Sequence, residues 1–353
     1  MIIVSRGFSL YFFLLWTFLL VLVVYFYTLL PENEVNGTPV FEERKFISSN
    51  FAVSKQLGNN IFELASILGI SRVLHRTPVI FLQNSTYQYM LNRVIQSIPG
   101  LLEEFLVLNE TVPDQVVWVD FNRKCCTFEN PQKLKNWKLQ ENEIIYLTGL
   151  YYQSFKYFPN MRSELRGFLE TSEKFPTLPK SDNKNYVTCV HIRRSDFFDV
   201  GFHVGSEKSI REVIGYIKTN VTLLQDQKVS FVIFGDDINF MRSLIQNQVP
   251  NFRFFLFCKI FFFSKAAHST FGWWMGYLSK GNQVYYADIR GTNDSVYKTG
   301  DLKPDDYYLP HWIPVKVEAD IFSYRNFFKK KIKISIGFLL FPLCSNHYHV
   351  GSG

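Results

Sequence analysis

Short apolar runs alternate with helical apolar stripes along the central part of the chain. Tyr186–Ile192 and Val229–Phe234 are largely apolar runs, the pattern of strands buried on both faces of a sheet. Each is followed by a loop and then by helical periodicity, as in residues 207–219. Further strands are predicted at Phe51–Val53, Val79–Leu82 and Val284–Ala287. The repeated order of strand, loop and helix predicts an α/β fold with parallel sheets, whose ligands bind at the carboxyl ends of the strands.

The N-terminal part has a different pattern, because Phe8–Leu30 contains no charged residue. A helix of this length can cross a hydrocarbon core of about 30 Å. The run also lacks the short apolar region and the small-residue cleavage site of a signal peptide. Arg6 precedes it, whereas Glu32 and Glu34 follow it, which predicts a cytosolic N-terminus and a lumenal remainder. We therefore expect a type II signal anchor with a cytosolic tail at 1–7, a transmembrane helix at 8–30 and a stem at 31–50.

The residues beyond this run fit a secretory compartment. They include N-x-[ST] glycosylation sequons at Asn36, Asn84, Asn109, Asn220 and Asn293. The five cysteines lack the spacing of a zinc site, and we expect the adjacent Cys125 and Cys126 to bond to two different partners. The net charge of +7 comes partly from lysines near the C-terminus, a pattern typical of a solvated tail. We expect no nucleic-acid partner behind a signal anchor.

Two adjacent arginines follow the first of the buried strands. His191 lies at the end of that strand, and Arg193, Arg194 and Asp196 come directly after it. A guanidinium keeps its charge and offers a planar fork of donors, so the pair suits the diphosphate of a nucleotide-activated donor. The alternative is a surface arginine pair bridged to Asp196 and Asp199. This motif alone does not choose between the two.

Three other loops have residues that suit a phosphate or a sugar. Gly58 and Asn59 begin a helical stretch whose backbone N–H groups could receive either, although an ordinary turn has the same pattern. Asp236 follows another buried strand and would hold a ribose or cap a helix. Ser269 or Thr270 could cap a helix that faces an anion, or simply begin an aromatic core helix.

The chain contains no D-x-D triplet. Metal-dependent nucleotide-sugar transferases usually hold Mn²⁺ or Mg²⁺ on the diphosphate with such a pair of carboxylates. Arginines and a helix N-terminus could neutralise the diphosphate instead. We therefore expect neither a metal ion nor a cofactor.

Taken together, these motifs resemble the animal α-1,2-fucosyltransferases of glycosyltransferase family 11. Residues 191–197 match the family motif H-x-R-R-x-D-[YF], and residues 57–65 resemble its early L-G-N-x-x-[FG]-x-x-A segment. Residues 269–274 are similar to its late [ST]-x-F-[GS]-x-W element, and residues 277–312 follow its pattern in the same order. The resemblance spans about residues 51–316.

The resemblance implies a GT-B-like lumenal domain of two Rossmann-like halves, which we place at 51–322. It also implies inverting, metal-independent transfer of fucose from GDP-fucose to the 2-hydroxyl of a terminal galactose on a glycan, in the Golgi membrane. The departing diphosphate would be neutralised by Arg193 and Arg194, with a second contact from the helix that begins at Ser269 and Thr270.

The resemblance leaves the remaining roles less specific. His191 would contact the nucleotide or lie behind the residues that do. Asp196 would orient the arginines or the guanine. The general base stays open between Asp196, Asp199 and Asp236, because each is a carboxylate near the end of a strand.

Two segments depart from the family pattern. Phe254–Phe263 is rich in phenylalanine and has no carboxylate, and residues 323–353 form a basic and apolar tail. These departures favour a catalytically inactive, membrane-anchored glycan-binding relative as one alternative. Another is a protein O-fucosyltransferase or an α-1,6-fucosyltransferase, whose arginine motif is related. The match downstream of Ala287 argues against this second alternative.

Overall fold

The computed structural model divides the chain into two compact units, Met1–Glu43 and Arg44–Gly353. It describes residues 16–21, 44–136, 139, 141–169, 181–182, 185–194, 196–197, 200, 202–225, 228–244, 260–263, 268–281 and 283–315. In the first unit, residues 16–21 are helical and exposed. Of the helices in the described residues, none has both the length and the apolar character that a membrane span requires.

Several sequence predictions concern residues outside the described part of the chain. The transmembrane helix at 8–30 lies there except for residues 16–21. The cytosolic tail at 1–7, most of the stem at 31–50 and the tail at 323–353 also lie there. These assignments stay predictions.

The second unit contains two parallel sheets, and the first has the strand order β3-β2-β1-β5-β4. Its strands are β1 (Phe46–Ser49), β2 (Thr77–Phe81), β3 (Leu106–Leu108), β4 (Val117–Val119) and β5 (Ile144–Leu147). The strand order reverses beside β1, because β2 lies on one side of it and β5 on the other. In open α/β sheets such a reversal creates a crevice at the carboxyl ends of the two strands.

The second sheet has the strand order β10-β9-β8-β6-β7 and is also parallel. Its strands are β6 (Asn185–Ile192), β7 (Lys228–Gly235), β8 (Ile260–Phe263), β9 (Gln283–Ala287) and β10 (Ile313–Val315). Here the order reverses between β6 and β8. In open α/β sheets a crevice forms at the carboxyl ends of the two strands beside such a reversal.

Helices cover the sheets and join the two halves. They are α1 (Leu57–Leu74), α2 (Ser85–Ser97), α3 (Pro99–Glu103), α4 (Arg162–Gly167), α5 (Glu207–Gln225), α6 (Ile238–Leu244), α7 (Thr270–Leu278), α8 (Ser295–Lys298) and α9 (Pro304–Tyr307). α1 of the first half packs on α7 of the second. The ring centroid of Phe62 lies 4.5 Å from that of Trp273 and 4.8 Å from that of Trp274. These aromatic contacts form the centre of a core shared by both sheets.

β6 shows why its sequence is almost continuously apolar. Val187 and Cys189 point into the core shared with α1 and α7. Val190 and Ile192 point to the opposite face, into a second core with α5 and α6. A parallel strand covered on both faces needs apolar residues at successive positions, so the α/β prediction with parallel sheets is confirmed.

The strand predicted at Phe51–Val53 is wrong. Ala52 has φ 57°, a left-handed conformation that no strand residue adopts. The strand is β1, five positions earlier, inside the segment that we assigned to the stem. The apolar pattern did not predict β1, because two of its four residues are the polar Ser48 and Ser49. These serines can be buried because their hydroxyls donate to backbone carbonyls of β2 and β5 at 2.9 Å.

The phenylalanine-rich departure from the family pattern contributes to the sheet. Its last four residues are β8, which pairs with β6 on one side and with β9 on the other. Phe261 lies opposite Cys189 of β6 and Val284 of β9. The segment therefore supplies an interior strand of the second sheet.

The two adjacent cysteines form a bond that the sequence analysis did not predict. Cys125 and Cys126 are joined to each other by a disulfide, so the expectation of two different partners is wrong. Two backbone hydrogen bonds to a distant part of the chain hold Cys126 in place. Cys126 N–H donates to Asp301 O at 3.1 Å, and Lys303 N–H donates to Cys126 O at 3.1 Å. The disulfide thus lies where a loop of the first half pairs with a segment of the second.

Candidate functional site

The candidate site lies where β6, β7 and β8 end. Gly235 closes β7 against the end of β6, since a Cβ atom there would lie 2.0 Å from Ile192 O. Asp236 N–H donates to the same carbonyl at 3.3 Å. Because no side chain separates the two backbones, Asp236 is placed directly beside the arginine pair.

Arg193 is held between two carboxylates. One terminal nitrogen lies 2.8 Å from Asp236 Oδ2, and the other lies 2.6 Å from Asp196 Oδ2. Its guanidinium also lies over the ring of Phe197, 5.2 Å from the centroid. The side chain as a whole is 25% exposed. Arg193 is therefore fixed in position, and a ligand can still contact it.

Arg194 contacts a different set of groups. Its Nε lies 3.2 Å from Asp237 Oδ2, and its guanidinium stacks on Phe240 at 3.9 Å from the ring centroid. A terminal nitrogen donates to Gly205 O, and the backbone N–H donates to Asp236 Oδ1 at 2.9 Å. These contacts tie the end of β6 to α6 and to the start of α5. The Arg194 side chain is 25% exposed, as that of Arg193 is, so the two arginines differ in their partners and not in their exposure.

Both arginines are paired with carboxylates, as the alternative interpretation of the sequence expected. The partners differ from those expected, because Asp236 and Asp237 take part beside Asp196. Asp199 lies outside the described residues. Two guanidinium groups face three carboxylates here, so a phosphate ligand would gain from Arg193 only where it also avoids Asp196 and Asp236.

His191 is buried beneath this charged layer. Its ring lies 5.4 Å from that of Phe234 and 5.9 Å from that of Phe271, and it is 3% exposed. Burial lowers the pKa of His191 to about 3, with a further decrease from Arg193 and opposition from Asp236. Its Nδ1 has no hydrogen-bond partner among the described residues. The structure thus places a neutral imidazole below the arginines.

The N-termini of α1 and α7 meet on the other side of the crevice. Gly58 allows the contact, because a Cβ atom there would lie 2.6 Å from Phe271 N and from Thr270 Oγ1. The Thr270 hydroxyl donates to Asn59 Oδ1 at 2.8 Å. Ser269 caps α7 by accepting from Gly272 N–H at 3.4 Å. Gly58 and Thr270 therefore lock two helix ends together, a role that the sequence analysis did not assign to them.

One side chain from the first half reaches the charged loop of the second. Gln56, the residue before α1, lies with Nε2 3.5 Å from Asp196 Oδ2. Asn59 in turn accepts from Gln153 Nε2 at 3.1 Å. The structure thus brings the predicted residues Gly58, Asn59, Asp196 and Thr270 into one crevice, with Gln56 as the link that sequence reasoning missed.

Glu63 is a second residue that sequence reasoning missed. It is fully buried in α1, and its Oε2 accepts from Ala52 N–H at 3.0 Å and from Asn60 Nδ2 at 3.2 Å. Burial raises the pKa of Glu63 to about 8, against the hydrogen bonds from Asn60 and from the backbone of Ala52 and Val53. The sequence signal was a lone acid within an apolar helical stripe, which is usually paired or functional when it is buried.

Among the described residues there is no cluster of three or more histidine, cysteine, aspartate or glutamate side chains that could hold a metal ion. The three aspartates of the site are instead paired with arginines. Positive charge at this crevice is supplied by guanidinium groups and by the ends of two helices.

Comparisons with known proteins cover this whole region. The family model described as Glycosyl transferase family 11 matches residues 41–316, which include both sheets. A Caenorhabditis elegans protein named "Putative galactoside 2-alpha-L-fucosyltransferase svh-11" is 40% identical over 297 residues, 77% of this chain and 79% of that protein. Another protein of that organism, named "Galactoside 2-alpha-L-fucosyltransferase", is 28% identical over 342 residues, 84% of this chain and 83% of that protein.

Proposed function

Since this chain belongs to glycosyl transferase family 11, we propose that it transfers a fucosyl group from GDP-fucose to a galactose-terminated glycan. The acceptor atom in this proposal is the 2-hydroxyl of the galactose, and the anomeric carbon is inverted. The names of the two relatives support the donor sugar and the acceptor. A type II anchor in the Golgi membrane, with the catalytic part in the lumen, is part of the same proposal and is supported by the uncharged Phe8–Leu30 run.

The observation that carries the proposal is the position of Arg193. It lies at the carboxyl end of β6, beside the strand-order reversal where α/β sheets bind nucleotides, and its side chain is partly exposed. During transfer the bond from the sugar C1 to the diphosphate oxygen breaks, and negative charge grows on GDP. A guanidinium at that place stabilises this growing charge once the diphosphate takes over part of its contacts with Asp196 and Asp236.

The two arginines have different roles in this proposal. Arg193 contacts the diphosphate through its forked donors. Arg194 keeps the strand end in place through Asp237, Phe240 and Gly205, so its charge acts on the ligand from further away. The helix ends at Ser269 and Gly58 add positive potential from the opposite side of the crevice.

Asp196 is the better candidate for the general base. Both oxygens of Asp236 already accept hydrogen bonds, from the Arg193 side chain and from the Arg194 backbone. Asp196 uses Oδ2 for Arg193, whereas its Oδ1 is buried and has no hydrogen-bond partner among the described residues, so the side chain has to turn before an acceptor hydroxyl can reach this oxygen. Oδ1 could accept the proton of the acceptor hydroxyl while the hydroxyl oxygen bonds to C1 of fucose.

We propose that no metal ion or other cofactor takes part. The absence of a D-x-D triplet from the sequence and the supply of positive charge by Arg193 support this. Transfer by the purified protein should continue in EDTA. Complete loss of transfer in EDTA, followed by recovery with Mn²⁺, would contradict a donor site built on arginine.

A catalytically inactive glycan-binding relative is the second candidate. It is favoured by one observation, the pairing of both arginines with carboxylates, which a diphosphate would have to rearrange. The Phe254–Phe263 segment no longer favours it strongly, because the last residues of that segment form the interior strand β8.

The test is an assay of the full chain, purified in detergent, with GDP-fucose and a β-galactoside acceptor. We expect released GDP and a fucosylated product whose linkage, determined by NMR, is to the galactose 2-hydroxyl. A folded protein that binds the glycan but releases no GDP would support the inactive relative. A product with fucose on a protein hydroxyl or on a core N-acetylglucosamine would support another fucosyltransferase class.

A further inference from the structure

A buried histidine and aspartate lie beside the arginine loop and have no part in the roles described so far. Asp294 is fully buried and caps α8, since its Oδ1 accepts from Val296 N–H at 3.1 Å. Its Oδ2 accepts from His203 N–H at 3.2 Å and lies 3.0 Å from His268 Nδ1. Burial acts to raise the pKa of Asp294, but these three contacts outweigh it and leave the pKa below its usual range.

His268 is fixed on several sides. It is 8% exposed, and it directly precedes the cap of α7. Its ring is stacked on Phe197, with centroids 5.1 Å apart and an interplanar angle of 20°. Phe202 meets the same ring edge-on at 4.4 Å. The backbone carbonyl of His268 accepts from the Tyr307 hydroxyl at 3.0 Å.

Phe197 and Phe202 belong to the loop that follows β6. This loop is braced by its own backbone, because Phe202 N–H donates to Phe197 O at 2.9 Å. The guanidinium of Arg193 also lies over the ring of Phe197. A continuous series of contacts therefore runs from Asp294 through His268 and Phe197 to Arg193.

We propose that His268 and Asp294 are positioning residues that hold the loop after β6 against the N-terminus of α7 and so fix Arg193 for the donor diphosphate. This inference rests on the proposed function. Neither residue needs to contact the ligand, because Asp294 is fully buried and His268 acts through the ring of Phe197. The pair connects the described residues after β6 to His268, directly before the cap of α7.

The first test is a mutant cycle on GDP affinity, measured by calorimetry on the full chain. His268→Asn keeps an N–H group for Asp294 and removes the ring. We expect it to weaken GDP binding by about tenfold, because a displaced binding group loses a large part of its interaction. In an Arg193→Ala background the same change should have little further effect, since its action runs through Arg193. A loss of equal size in both backgrounds would overturn the positioning role.

The second test separates positioning from general stability. Met90→Ala removes a side chain that is buried in the first half, far along the chain from the arginine loop, and should lower the melting temperature without changing GDP affinity. Asp294→Asn should weaken GDP binding and should raise the donor KM more than it changes the acceptor KM. Equal losses of GDP affinity in Met90→Ala and His268→Asn at matched melting temperatures would contradict the proposal.

Hydrogen exchange makes the inference testable without any ligand. In His268→Asn the amides of Phe202 and His203 should exchange faster, while amides of β1 should be unaffected. Unchanged exchange at both positions would overturn the proposal. If the wild-type protein bound neither GDP nor GDP-fucose while His268→Asn still showed faster exchange at these amides, the result would contradict the proposed function. It would leave the link between His268 and the loop after β6 in place.

Discussion

The carboxyl ends of β1 and β6 occupy equivalent places in the two parallel sheets, yet they differ in charge. Each strand lies next to the reversal of strand order in its sheet. The loop after β1 is held by Glu63 of α1, a fully buried acid whose pKa burial raises to about 8. At the end of β6 two arginines and three aspartates form partly exposed ion pairs.

The difference indicates which ligand each crevice can receive. A buried neutral acid and backbone N–H groups can fix a loop for sugar hydroxyls without repelling an anion. Partly exposed guanidinium groups suit a phosphate, whose charge needs a counter-charge in a site of low dielectric constant. Under the proposed function, the charged strand end of the second half is the one suited to the donor diphosphate.

Replacing Glu63 should give the largest effect, on the pH dependence of stability. Its pKa is about 8 in the folded protein and 4.5 in the unfolded chain. Between these values the folded state holds a proton that the unfolded state has lost, so stability falls as pH rises through this range. For wild type we expect a loss of roughly 3 kcal/mol in the free energy of unfolding from pH 5 to pH 8 from this group alone.

Glu63→Gln should remove that slope, because glutamine does not ionise and still offers an oxygen to Ala52 N–H. Urea unfolding at several pH values measures this slope of the free energy of unfolding against pH. Glu164→Gln is the control, since Glu164 is partly exposed and is paired with Arg72, and its lowered pKa places its titration below this range. A wild-type slope that persists in Glu63→Gln would show that Glu63 is not its source, and the comparison of the two strand ends would fail.

The next effect concerns the arginine at the second strand end. Arg193→Ala should weaken GDP binding by about 10- to 100-fold, because charge-assisted hydrogen bonds to the diphosphate are lost. Arg193→Lys should recover only part of this, since a point charge cannot make a forked contact. Arg194→Ala should lower the melting temperature more than Arg193→Ala does, because Arg194 also donates to the backbone carbonyl of Gly205 and stacks more closely on its aromatic neighbour.

Arg72 provides a matched control for this experiment. It too is paired with two carboxylates, Glu104 and Glu164, but it lies in the last turn of α1, at the opposite end of that helix from the crevice. Calorimetry should show unchanged GDP affinity in Arg72→Ala. If Arg72→Ala and Arg193→Ala weakened GDP binding equally, the charged strand end would have no special role.

The apolar patterns of the sequence predicted more strands of the second sheet than of the first. β6, β7 and β9 were predicted within about one residue, because strands covered on both faces have nearly continuous apolar sequences. β3, β4, β5 and β10 are only three or four residues long, too short to produce a distinct pattern. β8 was missed because its phenylalanines appeared to be a departure from a family pattern.

The candidate site could be predicted in its residues but not in its contacts. The sequence pointed to Arg193, Asp196 and Asp236, because parallel strands end at the same edge. It could not show that Asp236 lies against both arginines, since that depends on the close approach of Gly235 to Ile192. Nor could it find the link between His268 and Asp294, which are far apart in the sequence and meet only through tertiary packing.

The smallest effect is expected at the disulfide of Cys125 and Cys126, which lies where the two halves pair. Changing Cys125 and Cys126 together to serine opens a loop of only two residues, so little conformational entropy returns to the unfolded chain. We expect the free energy of unfolding to fall by about 1 kcal/mol, with GDP affinity unchanged. Peptide mass mapping without reduction should find both cysteines in one internally bonded peptide. A bond from either cysteine to a distant partner would make the loss of stability larger, because that disulfide would close a longer loop. Such a result would also contradict a disulfide between adjacent cysteines beside Asp301 and Lys303.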